Sequence, residues 1–235
     1  GRFRRGAGVE LLVFDPSTGA CAVGVLRDGE CFSRVELTPR RHTECVLPWS
    51  DELLAEAGLK KSQLDAIAVG IGPGAFTGVR LAVSLAQGLA LGLDIPVLGV
   101  STLACIAQSS AHDGPIAVLM DARMGECYVG FYQKQAGIAV ALVPEQLLAP
   151  EAVRLPFAGS WLGLGSGFAS YADRLPADML SQFTHIDSTA LPQAVALLEI
   201  AAHDFTASLA RVPEHVEPAY LRDKVALTIK ERENP

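Results

Sequence analysis

Asp15 and Asp121 each close an apolar run, Leu11-Leu-Val-Phe-Asp15 and Ala117-Val-Leu-Met-Asp121. A carboxylate at the end of such a run can orient a metal-bound nucleotide or serve in general acid–base chemistry, so the two form the first candidate pair. The residue after Asp15 favours a structural or vestigial role, because Pro16 lacks the backbone N–H that a phosphate-cradling turn needs. Arg123, two residues after Asp121, could meet a phosphate or pair with a carboxylate. The second candidate is Gly70-Ile-Gly72-Pro-Gly74. It has neither the Gly-Lys-Ser/Thr ending of a Walker loop nor a dinucleotide fingerprint, and it reads first as a tight strand-to-helix turn. A helix starting at Thr77 would still attract an anion, which leaves weak nucleotide binding open. No Gly-x-Ser-x-Gly elbow is present, and no Cys is set near a His by motif. Five cysteines (Cys21, Cys31, Cys45, Cys105, Cys127) form no Cys-x-x-Cys pair and read as buried thiols.

The elements that would position these groups follow from an internal repeat. Asp15, Gly19, Cys21, Val23 and Gly24 return, at one common offset, as Asp121, Gly125, Cys127, Val129 and Gly130. Each copy reads as a strand ending in Asp, a Gly-bearing turn and a second alternating strand, which is a β-hairpin. Gly70-x-Gly72-x-Gly74 is echoed by Gly163-x-Gly165-x-Gly167. Periodicity predicts strands over 9–15, 20–26, 30–37, 66–71 and 96–100 in the first half, with helices over 44–57, 77–92 and 102–110. Pro48 requires that the first of these helices either start later than Thr43 or kink. The second half repeats strands over 116–120, 126–133, 136–142 and 160–164, a short helix over 167–174 and a long one over 191–209. A mixed sheet covered by helices on both faces is expected in each half. Three segments follow: a first subdomain over 1–108, a smaller second one over 109–212 and a tail over 213–235.

The chain has 235 residues, half of them hydrophobic, which suffices for real cores. Its formal charge is -7, and three of its 19 basic residues (Arg2, Arg4, Arg5) crowd the opening segment, so the remainder is more acidic still. Residues 1–8 are expected to be an appended or processed end, with a basic nucleic-acid-binding arm as the competing reading. Such a charge balance is poorly suited to gripping a polyphosphate unaided. Val79 to Leu93 is interrupted by Ser84 and Gln87 and is too short for a membrane span. With no signal peptide in view, a cytoplasmic, non-membrane protein is expected.

A β-β-β-α-β-α-β-α unit present twice resembles the duplicated actin-like ATPase fold (ASKHA, ribonuclease H-like), an α/β architecture, here with a reduced second half. The segment Gly70-Ile-Gly-Pro-Gly74-Ala-Phe76-Thr77-Gly78-Val-Arg80 is more specific and resembles the signature shared by the TsaB (YeaZ) family and its relative TsaD. Asp15-Pro-Ser-Thr, His42-Thr-Glu44 with Leu47-Pro48, Asp121-Ala-Arg-Met-Gly-Glu126 and Glu217-Pro-Ala-Tyr-Leu-Arg222 point to the TsaB family in particular. The resemblance implies a non-catalytic subunit of the machinery that places threonylcarbamoyladenosine in tRNA. TsaD is then the catalyst, TsaC the source of the adenylate and TsaE an associated ATPase. It further implies a heterodimer with TsaD, TsaE in a larger complex, a homodimer when alone, and tRNA contact only through the complex. No cofactor, catalytic residue or metal ligand is expected. TsaD carries a His-x-x-x-His pair where this chain has Ser101-Thr-Leu-Ala-Cys105 and, farther on, only His112, expected on the solvent side. An ASKHA-type ATPase or small-molecule kinase, and a metallopeptidase, are the alternatives.

The helix from Thr77 to Gly92 is apolar almost all round, so burial on more than its sheet-facing side is expected. Its less apolar stripe is Arg80, Ser84, Gln87 and Leu91, and Ala82, Ser84, Ala86 and Gly88 would admit another helix closely. The expected partner interface is Arg80, Val83, Ser84, Gln87 and Leu91, together with Val46, Trp49 and Leu53 of the preceding helix, forming a helix bundle with TsaD. The competing reading assigns the apolar excess to core packed against the second domain.

Overall fold

The computed structural model describes residues 8–16, 19–37, 42–74 and 76–219. In the first half, β1 (Leu11–Asp15), β2 (Ala20–Arg27) and β3 (Glu30–Leu37) are followed by a 3-10 turn (His42–Cys45) running into α1 (Val46–Ala57). Then come β4 (Ala66–Gly70), α2 (Phe76–Leu93), β5 (Val97–Val100) and α3 (Thr102–Gln108). Pro48 sits in the first turn of α1, where its missing N–H has no intrahelical acceptor to lose, and the 3-10 turn absorbs the approach. Gly58, at φ 63°, closes α1 in the left-handed conformation that glycine adopts without steric cost.

The first sheet has the order β3-β2-β1-β4-β5, antiparallel in the hairpins and parallel from β1 to β4 to β5. The second repeats it. From β6 (Ile116–Asp121), β7 (Cys127–Gln135), β8 (Ile138–Ala141), β10 (Trp161–Leu164) and β11 (Phe183–Asp187) comes the order β11-β10-β6-β7-β8, with β9 (Gln146–Leu148) paired beside β7. All five residues of β1 are buried because it lies centrally, covered on both faces, which is why it reads as a continuous apolar run. Asp15 faces Ala22 and Asp121 faces Cys127, so each Asp ends the first strand of a hairpin, the second hairpin's register being shifted by one residue relative to the first.

The second half is reduced in helices but not in strands. Between β8 and β10 the described chain has only β9 and a 3-10 turn (Pro150–Ala152), and β10 is followed by two single-turn helices, α4 (Gly167–Ser170) and α5 (Ala177–Leu180). The edge strand β11 was not among the expected elements. Its residues Phe183-Thr-His-Ile-Asp187 are all partly or fully exposed and carry little apolar patterning.

The expected boundary after residue 108 separates the sheets, while the central helices cross it. Helix α6 (Ala194–Thr206), from the second half, lays Leu197, Leu198 and Ala201 on Leu11, Val13 and Leu98 of the first sheet. Helix α3, from the first half, lays Leu103, Ile106 and Ala107 on Ile116, Val118 and Leu162 of the second. The two helices touch each other between the sheets. Helices α1 and α2 cover the outer face of the first sheet; α4 and α5 cover that of the second. This exchange ties the halves together with leucines and an isoleucine that each cost about 2–5 kcal/mol to truncate to alanine.

The segment after α6 packs back on the first sheet. Arg211 and Val97 exchange backbone hydrogen bonds at 2.9 Å, Val216 is buried, and Ala219 N–H donates to Ile71 C=O at 2.8 Å. Tyr220, Leu221 and Arg222 lie outside the described residues, as do Arg2, Arg4 and Arg5. Among the described residues, no helix is long and apolar enough to cross a membrane.

Candidate functional site

Asp15, at the end of β1, is 1% exposed and accepts a hydrogen bond from Thr102 Oγ1 at 2.7 Å. The same hydroxyl oxygen accepts from Gly72 N–H at 3.2 Å, while Thr102 N–H donates to Gly72 C=O at 2.9 Å. Ile71 N–H is committed to Val100 C=O. Two backbone donors that a phosphate cradle would aim at a ligand are therefore spent inside the fold. Gly70 is the only residue type that fits beside Asp15, because a Cβ there would lie 1.9 Å from the carboxylate oxygen. In this turn glycine provides room for a packed acid.

The neighbouring residue Ser101 caps α3, accepting Ala104 N–H at 3.2 Å. Its hydroxyl also donates to Glu145, which accepts from Tyr132 O–H at 2.7 Å. Burial, and then the Glu145 carboxylate, push the Tyr132 hydroxyl far above its ordinary value. Two adjacent hydroxyls at the start of α3 thus bind one carboxylate from each half.

Asp121 has a different setting. It is only partly buried, and its Oδ1 accepts Arg123 N–H and Tyr171 O–H, each at 2.8 Å. Burial pushes its carboxyl up, but the hydrogen bonds from Arg123, Tyr171 and Ser170 outweigh this and hold it below the ordinary 3.8. The ionised form is the one stabilised, so its contribution is present above the unfolded-state value and is lost as pH falls through the lowered folded-state value. Tyr171→Phe is expected to move the Asp121 carboxyl titration, followed by carbon NMR, upward; an unchanged midpoint would show that the Tyr171 bond does not act on it. The Arg123 backbone makes the turn at φ 60° and its side chain is exposed.

Cys21, Cys31, Cys105 and Cys127 are poor nucleophiles. Burial first, aided by neighbouring acids or thiols, pushes Cys21 and Cys127 up to about 12, Cys105 well above the ordinary 9.0, and Cys31 upward. His112 departs from expectation: it is partly buried, with Nε2 out of contact with water. Among the described residues no group of three or more His, Cys, Asp or Glu is placed to hold a metal.

The expected interface residues separate into two groups. Val46, Trp49, Leu53 and Val83 are at most 7% exposed and belong to the core between α1, α2 and the first sheet. Their apolar spacing is that of a helix covering its own sheet, and the guanidinium of Arg34 lies over the Trp49 ring at 4.3 Å. These four side chains are corrected from interface to core, and so are Ala82 and Ala86. Gln87 is partly buried and holds the C-terminal segment, its amide donating to Pro213 C=O and Val216 C=O at 3.0 Å each. Arg80, Ser84 and Leu91 are exposed as expected.

Thr77, Leu81, Gly88 and Gly92 join them on that outer face. Leu81 and Leu91 are 51% and 54% exposed. Around Gly78, Gly88 and Gly92 a Cβ would meet nothing within 4 Å among the described residues. Ser84, Gly88 and Gly92 recur every four residues, a spacing visible in the sequence but hidden among so many apolar neighbours.

Comparison with known proteins places this architecture. The family model described as TsaD, tRNA N6-adenosine threonylcarbamoyltransferase, matches residues 35–229. The chain is 38% identical to the tRNA threonylcarbamoyladenosine biosynthesis protein TsaB of Escherichia coli K12, over 93% of this chain and 96% of that one. It is 36% identical to TsaB of Haemophilus influenzae, over 92% and 94%. The solved structure of YeaZ from Pseudomonas aeruginosa superposes with a TM-score of 0.85 at 40% identity, over 91% of this chain and all of that one. A second solved structure, an uncharacterized Pseudomonas aeruginosa protein with similarity to peptidase YEAZ, matches at TM-score 0.85 and 41% identity over 91% and 99%. With the duplicated sheet, the packed Asp15 and these full-length matches in hand, the chain belongs to the TsaB (YeaZ) family and has its duplicated actin-like fold.

Proposed function

We propose that this chain serves tRNA threonylcarbamoyladenosine biosynthesis as a non-catalytic scaffold that docks on TsaD through the outer face of α2. The observation that carries the reading is the open space over Gly78, Gly88 and Gly92. Glycine inside a helix costs about 1 kcal/mol relative to alanine. At these three positions nothing among the described residues takes up the space that the missing side chains leave. Glycines flanked by exposed Leu81 and Leu91 suit the close approach of a second helix, which would recover that cost on association. In the absence of TsaD the same face would pair two copies of the chain. TsaE would join the larger complex, and tRNA would be gripped by surfaces other than those of this acidic chain, consistent with its charge of -7.

The test is omission. In a modification reaction reconstituted from purified components, leaving out this chain is expected to lower the yield of modified adenosine at least about tenfold. The isolated chain with ATP and magnesium is expected to show no turnover. Undiminished modification, or brisk nucleotide hydrolysis by the lone chain, contradicts the proposal.

A further inference from the structure

The second sheet carries a cavity that takes no part in the proposed docking. Helix α3 ends at Gln108, with Leu103, Ile106 and Ala107 resting on β6 and on Leu162. Where it stops, a cavity of about 320 Å³ opens over the inner face of β10 and β11, a size within the roughly 300–1,000 Å³ of small-molecule sites. Its floor is set by the parallel register of the two strands, which pairs Leu162 with His185 and Leu164 with Asp187. Paired residues of parallel strands share a face, so two buried leucines lie beside an exposed imidazole and a half-buried carboxylate. Leu191 and Gln193, from the segment leading into α6, and Ser110, just past the end of α3, add to the lining.

Asp187 is the group that gives this cavity a preference. Thr189 donates twice to its Oδ1, from the hydroxyl at 2.7 Å and from the backbone N–H at 3.0 Å. These bonds hold the carboxyl below the ordinary 3.8, so it is ionised at neutral pH. Oδ2 keeps its lone pairs for a ligand. An anion is repelled there. A metal ion finds too few ligands, since among the described residues no group of three or more His, Cys, Asp or Glu is placed to hold one.

We propose that the cavity binds a small organic amine, whose ammonium group meets Asp187 Oδ2 while its hydrocarbon body lies on Leu162, Leu164 and Leu191. The charge-assisted hydrogen bond sets which end of the ligand faces β11, and the leucines supply the apolar contact that a bare, hydrated cation leaves unused.

The test is an NMR titration of the full chain, with leucine methyls labelled, against benzylamine and against benzyl alcohol, its uncharged counterpart of similar shape. The expected result is a saturable shift of the Leu162, Leu164 and Leu191 methyls with benzylamine, at a Kd at least about tenfold below that for benzyl alcohol. Asp187→Asn keeps the acceptor that Thr189 uses and should remove this difference, raising the benzylamine Kd to that of the alcohol while leaving the alcohol's unchanged. Equal affinity for the two probes, shifts confined to other leucines, no shift at all, or a preference for the amine that survives in Asp187→Asn would each overturn the proposal. The comparison of the two probes is made on the unsubstituted chain, so it stands however well the variant folds. No residue of α2 takes part, so failure of the docking reading would leave the result untouched.

Discussion

Gly70→Ala is expected to destabilise the chain by about 3 kcal/mol or more, far beyond what one methyl group costs at an ordinary site. The added Cβ would stand 1.9 Å from Asp15 Oδ2, 2.2 Å from its Cγ and 2.7 Å from its Cβ. The backbone cannot retreat, because β4 is paired with β1 on one side and β5 on the other, with Gly70 opposite Val100. Asp15 would have to turn away, breaking its bond to Thr102 and stranding a carboxylate that is 1% exposed. Chemical denaturation should show a lowered urea midpoint at unchanged slope, and heating a Tm lower by roughly 10 °C. A variant within about 0.5 kcal/mol of the parent would show that Asp15 is not packed against the turn. Gly88→Ala on α2 makes the contrast: the same methyl group meets open space there and should stabilise the lone chain by about 0.5–1 kcal/mol.

This contrast bears on function. Here the acid is sealed by Thr102, and Gly72 N–H is committed to the same hydroxyl. In this chain the turn packs Gly70 against Asp15 and ties Gly72 to Thr102.

Much of this was legible in the residues. The recurrence of Asp, Gly, Cys, Val and Gly identified the two hairpins because a strand buried on both faces and a left-handed turn leave little choice of residue. Helix α2 was expected over 77–92 and runs Phe76–Leu93, since no Pro or polar cluster interrupts it. What failed was the destination of apolar stripes. Val46, Trp49 and Leu53 define a stripe, but spacing alone does not say whether a chain's own sheet or another molecule covers it, and here the sheet does. Val83 failed for the same reason, and the bonds of Gln87 to Pro213 and Val216 were not foreseen because those acceptors lie far along the chain. Strand β11 was missed because an exposed edge strand needs no apolar alternation. The crossing of α3 and α6 between the sheets is a long-range packing choice to which local periodicity is blind.

The second large effect is expected at Ser84, which the structure leaves exposed midway along the outer face of α2. Ser84→Arg should leave the stability of the lone chain within about 0.5 kcal/mol, because the side chain projects into solvent and arginine is a good helix former. Against a docked helix, the same guanidinium would fill the gap that Ser84, Gly88 and Gly92 keep open and would bury an unpaired charge, weakening association about 100-fold or more. Val83→Arg would be uninformative by comparison, since Val83 is 3% exposed and an arginine there would break the core first.

Co-elution of the Ser84→Arg chain with purified TsaD on size-exclusion chromatography, paired with its thermal unfolding alone, therefore tests the proposed scaffold role most directly. The account predicts two separate peaks for the variant, one joint peak for the parent chain, and matching Tm values for the two lone chains. A joint peak from the Ser84→Arg chain with its Tm intact would contradict it.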